Sequence, residues 1–279
     1  MNTFITTQLS AYEAWLRNEE RSRGTMEKYL RDVRTFAKWL GERELTKETT
    51  IEWKEHLIET GYAAVTINSM LSALNGFFTF IGRGDCHVKF LKVQQRMFRA
   101  ESRTLTFEDY TSLVKAAENQ GNTRVALLLE TICATGMRVS EVRYITVEAA
   151  RQGVAEISLK GKIRSIVIPG KLRKKLLKYA KKRKITSGEI FLTRSGKGIN
   201  RRQIWAAMKA LCKAAKVESS KVFPHNLRHL FARQFYKVSH DIVKLANTLG
   251  HSNIETTRIY LITTSNENSE EMDLLGLVS

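Results

Sequence analysis

The sequence contains only three cysteines and two prolines among its 279 residues. Cys86, Cys133 and Cys212 are odd in number and widely spaced, which excludes a disulfide framework and gives no support to a cysteine-based zinc site. The scarcity of proline, together with long stretches of Leu, Ala, Lys and Glu, favours a mostly helical protein. A reducing cytoplasm is the compartment that fits this use of cysteine best.

Long apolar runs are lacking as well. The sequence has no stretch of about 18 apolar residues that could span a bilayer, and its first ten residues have no basic-then-apolar pattern of a secretory signal. With 43% hydrophobic residues, the chain can still bury a substantial core. We therefore expect a soluble, unexported protein without a membrane partner.

Acidic residues are scarce relative to basic ones, and the formal net charge is +18. Residues 1–100 carry a net charge of +3, whereas residues 101–279 carry +15. This excess indicates a polyanionic partner for the second part of the chain. Residues 171–184 contain nine Lys or Arg and no acid, a pattern that fits a solvated helix face as well as direct phosphate contact.

Apolar residues between positions 8 and 81 repeat at helical spacing, with glycines at intervals that suit about four helices. Thr25 and Thr66 are the expected helix caps in this region. The following stretch loses the periodicity and is basic. We predict a helical bundle over residues 1–82 and a basic linker over residues 83–104.

Between Gly153 and Pro169 the pattern changes to two short alternating runs around a tight basic turn. This change predicts a β-hairpin that presents Lys160 and Lys162 at its tip. Because the rest of the second part has helical patterning, the expected fold class is mainly α with a small β-sheet.

Cap residues mark three helix starts in the second part. Thr106 precedes acidic residues, Pro224 precedes the stretch H-N-L-R-H, and Ser252 with Glu255 has the form of a capping box. The tail beyond these helices, residues 265–279, is acidic and amphipathic, and it has nothing of its own against which to bury its apolar side chains.

Five side chains supply what the chemistry of a phosphodiester needs. Arg138 and Arg228 offer fixed positive charge and paired donors to the non-bridging oxygens. Tyr260 is a phenolic nucleophile, for which His225 is the candidate general base, and His251 can donate to a phosphoryl oxygen.

The departing 5′ oxygen needs a proton, and a hairpin lysine can deliver it. Lys160 is the candidate general acid, with Lys162 as the alternative. This set of groups would need neither a metal nor another cofactor.

Each residue also has a simpler interpretation. His225 and His229 lie four positions apart and could be zinc ligands on a helix, although no further Cys, Glu or His falls at a supporting spacing. A tyrosine near a chain end is usually a packing residue. The residues indicate phosphodiester chemistry only when they are taken together and in this order.

In that combination the chain resembles the tyrosine recombinases, the integrase family of phages and mobile elements that includes the Xer proteins. The stretches T-x-x-x-Y-x-x-D-V-x-x-F-x-x-W-L from Thr25 and I-N-S-M-L-S-A-L-N-G-F-F-x-F from Ile67 are similar to the core-binding domain of that family. Its catalytic boxes are matched by A-T-G-M-R-V-S-E-V at Arg138, H-N-L-R-H at His225 and Arg228, and L-G-H-S-N-I-E-T-T-R-I-Y at His251 and Tyr260.

The resemblance implies a domain organisation. Residues 1–82 would form a SAM-like, helical core-binding domain, and residues 105–264 a mixed α/β catalytic domain. The tail over residues 265–279 would be exchanged between protomers. Glu141 matches a position that supports the site, and Lys160 matches the hairpin lysine, with Lys162 two positions further on.

The resemblance also implies an activity, the exchange of DNA strands without metal or nucleotide cofactor. Tyr260 would form a 3′-phosphotyrosyl link and free a 5′ hydroxyl. A homo-tetramer on double-stranded DNA with inverted-repeat core sites would act in two rounds through a Holliday junction, in a bacterial cytoplasm and associated with the nucleoid when bound.

Two domains that clamp DNA would contact mostly phosphates, which position a protein without reading sequence. The candidate contacts are Lys28, Arg31, Asn68, Arg201, Arg202 and Lys209. The expected role is integration or excision of a mobile element, with Xer-like dimer resolution or DNA inversion as alternatives. Relaxation of the type IB topoisomerase kind and noncatalytic DNA binding are the competing activities.

Overall fold

The computed structural model describes residues 2–93, 103–159, 162–251 and 253–260. Its helices and a single two-stranded sheet in the described ranges confirm the expected fold class. The chain divides into two compact units, residues 1–95 and residues 96–279. No helix within the described residues is long and apolar enough to cross a membrane.

The first unit is built from four helices: α1 (Thr3–Asn18), α2 (Arg23–Leu40), α3 (Lys47–Glu59) and α4 (Ala64–Phe80). Aromatic rings fill the space between them. Tyr12 meets Phe77 edge to face with 5.2 Å between ring centroids, and Phe36 meets Trp53 at 5.7 Å. Such edge-to-face pairs add to the burial of apolar area and fix how the helices face one another.

Both expected caps of the first unit were wrong by three residues. Helix α2 begins at Arg23, because the Ser22 hydroxyl accepts a hydrogen bond from the Thr25 backbone N–H. Helix α4 begins at Ala64, after a cap residue without a side-chain hydrogen bond. Thr25 and Thr66 each occupy the third position of their helix instead.

The first part of the predicted linker packs on the first unit. Cys86 and Val88 are buried in its core. Two asparagines of α4 hold this extended segment. Asn75 exchanges two hydrogen bonds with the backbone of Val88, and Asn68 exchanges two with the backbone of Leu91. The prediction of a linker overlooked these pairs, because asparagine contributes nothing to the apolar periodicity from which helices are predicted.

The second unit contains eight α-helices and one hairpin within its described residues. They are α5 (Phe107–Asn119), α6 (Thr123–Thr135), α7 (Val147–Gln152), β1 (Val154–Leu159), β2 (Lys162–Val167), α8 (Gly170–Lys182), α9 (Arg201–Ala215), α10 (Pro224–Ser239), α11 (Ile242–Leu249) and α12 (Glu255–Arg258).

Two of the three predicted helix starts in this unit are confirmed. Thr106 caps α5 in a capping box with Asp109, and Pro224 is the first residue of α10. The third was wrong: α12 begins at Glu255 itself, and the Asn253 side chain accepts a hydrogen bond from the Glu255 N–H at 2.8 Å. Ser252, the other half of the predicted box, lies outside the described residues.

The predicted hairpin is confirmed. Strands β1 and β2 pair antiparallel, from Val154 opposite Val167 to Leu159 opposite Lys162. Ala155 and Ile157 are buried in the core of the unit. Residues that lie opposite each other point to the same face of a sheet, so Arg164, the partner of Ile157, also points inward.

Helix α6 lies in the middle of this core, and its end is tightly constrained. Gly136 closes the helix in the left-handed conformation, with φ of 61°. A Cβ atom at this position would lie 2.3 Å from the ring of Phe231 on α10. The chain can therefore turn from α6 to Arg138 only if residue 136 has no side chain.

We predict that Gly136→Ala lowers the free energy of unfolding by about 3 kcal/mol, from left-handed strain plus the overlap with Phe231. Gly121→Ala is the matched control, since Gly121 has φ of 67° and open space around its missing Cβ; it should cost only about 1 kcal/mol. Urea denaturation measures both changes, and equal losses would contradict the packing explanation.

Candidate active site

Five residues predicted from sequence meet at one pocket of about 610 Å³. The turn after α6 brings Arg138, the first turn of α10 brings the next two, and the turn after α11 with the end of α12 brings the last two. The side chains that line this pocket include Arg138, His225, Arg228, His251 and Tyr260.

Arg228 is the largest fully buried side chain of the described chain, with 1% of its surface exposed. Its Nη1 donates to the Gly136 carbonyl at 2.6 Å, and its Nη2 donates to the Leu249 carbonyl at 2.8 Å. Both acceptors lie at helix C-termini, where unpaired carbonyls and the helix dipole stabilise positive charge. Burial lowers the pKa of Arg228, and a hydrogen bond with Tyr260 opposes that change.

Glu141 is a buried carboxylate that holds two arginines. Its oxygens accept from the Arg138 backbone N–H at 2.7 Å, from Arg138 Nη1 at 3.1 Å and from Arg164 Nη2 at 2.5 Å. Arg164 also donates to the Leu249 carbonyl. Strand β2, the turn after α6 and the end of α11 are thus connected through one carboxylate and one carbonyl.

His251 is held with both ring nitrogens engaged. Its Nε2 lies 2.8 Å from Nη2 of Arg228. A guanidinium group has only donors, so Nε2 accepts, and the proton of the neutral ring lies on Nδ1, which donates to Thr257 Oγ1 at 2.8 Å. Burial first, and then the charge of Arg228 and neighbouring arginines, lowers the pKa of His251 to about 4.

Tyr260 is buried, with 2% of its surface exposed, and three imidazole rings surround it. The His251 ring stacks on it at 5.6 Å, the His229 ring meets its edge at 4.4 Å, and the His225 ring lies 6.0 Å away. The nucleophile predicted from sequence is therefore stored inside the protein beside Arg228.

The remaining site predictions are placed less fully. Lys160 and the tail over residues 265–279 lie outside the described residues. Lys162 begins β2, but its side chain is not described. The choice of general acid between these two lysines stays a prediction.

Helix α9 contributes predicted DNA contacts and one residue that the sequence did not single out. Arg201 and Trp205, one turn apart, both line the pocket. Lys209, a further turn along, lies over the Trp205 ring at 5.3 Å, and Arg202 is exposed. Trp205 was missed because a tryptophan in an amphipathic helix is usually a core residue, whereas here 49% of it is exposed.

The three candidate contacts of the first unit already have protein partners. Lys28 and Arg31 both pair with the buried carboxylate of Asp32, at 3.1 and 2.9 Å. The Asn68 amide is used by the backbone of Leu91. Arg31 is the most available of the three, because 68% of its side chain is exposed.

Arg164 and Thr257 are site residues that the sequence reading also missed. Arg164 was read only as part of a basic hairpin, yet alternation along β2 places it inward, opposite Ile157. Thr257 is completely buried and orients His251. The inward register of β2 could have revealed Arg164, whereas nothing in the sequence marks Thr257.

The two histidines of the zinc interpretation do lie close together. His225 and His229 lie on one face of α10, and their rings pack edge to face at 4.5 Å. Among the described residues, no group of three or more His, Cys, Asp or Glu is arranged to hold a metal ion.

Comparison with known proteins gives consistent matches along the chain. The phage integrase family model matches residues 103–267, and the model of the phage integrase N-terminal SAM-like domain matches residues 9–83. Tyrosine recombinase XerD of Halalkalibacterium halodurans is 27% identical over 269 residues, covering 86% of this chain and 87% of that protein. Tyrosine recombinase XerA of Thermococcus kodakarensis is 28% identical, covering 90% and 89%.

Solved structures share the fold at lower identity. The Tn1549 transposon integrase in complex with transposon right end DNA superposes with a TM-score of 0.73 at 16% identity, covering 96% of this chain and 99% of that chain. A lambda integrase tetramer bound to a Holliday junction gives a TM-score of 0.69 at 18% identity, covering 91% and 76%.

We predict that Glu141→Gln lowers the free energy of unfolding by about 3 kcal/mol, because it leaves the guanidinium of Arg164, only 15% exposed, without its counter-charge. Glu156→Gln, at an exposed position of β1, is the control for loss of one carboxylate. Urea denaturation compares the two variants. A loss no larger than that of the control would show that Glu141 does not carry the network.

We expect the His251 ring to titrate near pH 4 and to carry its proton on Nδ1 at pH 7, as ¹⁵N NMR of the imidazole would show. Since this pKa lies below the unfolded value, the neutral ring stabilises the fold above about pH 6.5, and this stability is lost as the pH falls towards 4. His251→Gln identifies the resonance. A midpoint at 6.5 or higher would contradict the hydrogen-bond assignment.

Proposed function

Since this chain belongs to the phage integrase family of tyrosine recombinases, and is therefore a site-specific DNA recombinase, we propose that the pocket around Tyr260 is its cleavage site. The observation that carries this proposal is the convergence of two arginines, two histidines and one tyrosine from four separate chain segments on a single pocket. The buried guanidinium of Arg228 adds support, because a buried charge is costly unless it has a partner or a function.

In the proposed reaction the phenolic oxygen of Tyr260 attacks the phosphorus of a DNA phosphodiester. A bond from tyrosine to the 3′ phosphate forms, the bond to the 5′ oxygen breaks, and the phenolic proton passes to His225. The 5′ oxygen takes a proton from Lys160, or from Lys162 as the alternative. The new ester retains the bond energy, so a 5′ hydroxyl can reverse the step without a nucleotide cofactor.

The two arginines have different parts in this mechanism. Arg138 keeps 44% of its side chain exposed while Glu141 fixes one end of it, so it is the first group to meet a phosphate. Arg228 is bound to two carbonyls and to His251. For it to reach a phosphoryl oxygen, the bond to His251 or to Tyr260 has to be exchanged for one to DNA.

The buried position of Tyr260 sets a condition on cleavage. A phenol with 2% exposure cannot approach an entering phosphate in line. The segment that follows Gly250 therefore has to shift when DNA binds, and the same shift would release Nε2 of His251 from Arg228. Once Nε2 has taken up a proton, which the negative charge of the entering phosphate favours, His251 could act as the predicted donor to a phosphoryl oxygen.

We also propose that the exposed face of α9 follows the duplex next to the pocket. Arg201 and Lys209 would contact phosphates, while the indole of Trp205 covers a sugar or base edge. Arg202, Lys28 and Arg31 are further proposed phosphate contacts. Asn68 is a weaker candidate, because its amide would have to leave the backbone of Leu91.

The proposed partner is double-stranded DNA with inverted-repeat core sites, bound by a homo-tetramer. Support comes from the shared fold with the lambda integrase tetramer bound to a Holliday junction. Exchange of residues 265–279 between protomers would give their apolar side chains a surface to cover.

For the biological role we propose integration or excision of a mobile element in a bacterial cytoplasm. Xer-like dimer resolution is the second candidate, favoured by the XerD and XerA names of the relatives. Deleting the gene separates the two. Plasmid and chromosome dimers that persist would establish the Xer-like role, whereas failure of the excision junction to form at flanking repeats would establish the mobile-element role.

We predict that a nicked duplex with the cognate site traps a covalent adduct, seen as a DNA band that survives detergent. Tyr260→Phe should abolish this adduct, and Arg138→Ala should slow its formation at least about a hundredfold, since it removes a preorganised charge donor. Arg151→Ala, an exposed arginine on α7, controls for lost charge and should behave like the parent protein.

An adduct that persists in Tyr260→Phe would show that another residue is the nucleophile. Relaxation of a supercoiled plasmid that lacks the cognate site would instead indicate the topoisomerase kind of activity.

A further inference from the structure

The exposed face of α8 is a continuous stripe of lysines. Each lysine of the stripe has another one three or four positions away, which places them on one side of a helix. The opposite side buries Leu172, Leu176 and Tyr179 in the core, so the stripe faces outward. Its exposed members, hereafter the α8 stripe, are Lys171, Lys174, Lys175, Lys178, Lys181 and Lys182.

This stripe is hardly neutralised by the protein. Of the ion pairs between described residues, one involves the stripe, that of Lys175 with Glu130 at 2.5 Å. Lysines four positions apart on a helix repel each other. Lys181 and Lys182 lie in the last turn, where the helix dipole favours positive charge, but the other lysines add only repulsion. The stripe as a whole therefore favours counter-charge from outside.

The stripe leads to a second basic feature at the C-terminal end of α8. A pocket of about 720 Å³ is lined there by Arg124, Arg183 and Arg194, and its lining residues include no carboxylate. Asn122, at the start of α6, also lines it, whereas Met137, just past the end of α6, lines the cleavage pocket. The length of α6 separates the two pockets by about 20 Å.

We propose that the α8 stripe and this basic pocket form a second surface for the phosphodiester backbone of duplex DNA, separate from the cleavage pocket. The stripe is about 16 Å long, and over that length a duplex presents about nine phosphate charges. Lysines are flexible point charges, which suits contact that does not depend on sequence.

The occupant is DNA rather than a membrane because the surface has no apolar wedge. Helices that lie on membranes expose large apolar side chains beside their basic ones. The large apolar side chains exposed in the described chain include none from α8. The second surface would hold DNA beyond the cleavage site, or a second duplex, and so raise the local concentration of DNA.

The test measures binding without cleavage. In a Tyr260→Phe background, fluorescence anisotropy with a labelled random-sequence duplex is recorded over a series of KCl concentrations. The triple variant Lys174→Gln, Lys178→Gln, Lys181→Gln is compared with Lys115→Gln, Lys237→Gln, Lys244→Gln, whose lysines are exposed on α5, α10 and α11.

We expect the α8 triple to bind the duplex at least about tenfold more weakly at low salt. The slope of log affinity against log salt should fall by about 3, since each lost phosphate contact removes about 0.9. The control triple should change both quantities much less. Lengthening the duplex should increase the difference if flanking DNA is held.

Equal changes in the two triples would overturn the proposal, because they would reflect net charge alone. Lysine-to-arginine substitutions at the same three positions keep the charge and should restore binding; failure to restore it would assign the effect to helix structure and also overturn the proposal. The readout does not involve Tyr260 chemistry, so failure of the cleavage mechanism leaves this test intact.

Discussion

The C-terminal end of α11 holds the buried positive charge on which the rest of the site depends. The Leu249 carbonyl accepts hydrogen bonds from both Arg228 and Arg164, and the Gly136 carbonyl at the end of α6 takes another from Arg228. Burying two guanidinium groups would be very costly without such partners. The C-terminal ends of α6 and α11 supply this partial negative charge in place of a second carboxylate.

This solution leaves the pocket short of negative charge. Arg138 and Arg164 share one buried carboxylate, Glu141, while Arg228 is bound to backbone carbonyls. Burial, together with these positive charges, keeps His251 neutral. A phosphate that enters brings the missing charge and competes with His251 and Tyr260 for Arg228. Substrate binding and rearrangement of the site are therefore coupled by electrostatics.

The sequence was sufficient to identify the five residues that meet at the pocket and most of the elements that position them. Thr106 and Pro224 marked the starts of helices correctly, because a capping side chain and the fixed backbone angle of proline act locally. Arg164, Thr257 and the Asn68–Leu91 pair escaped, because their roles depend on partners between 6 and 85 positions away. The cap at Ser22 and the hydrogen bond of Asn253 with the Glu255 N–H were missed, since several polar residues in each turn could have served.

In the two sequence boxes that contain Gly136 and Gly250, the residues needed for packing can be distinguished from the residues proposed to react. A side chain at Gly136 would overlap Phe231, and one at Gly250 would lie 2.6 Å from Arg164. Both glycines are therefore required by packing. A descendant that had lost its catalytic arginine or histidine would still be under pressure to keep them. A motif match that rests on such glycines therefore reports ancestry, and only the arginine and histidine beside them bear on whether the protein is a working enzyme.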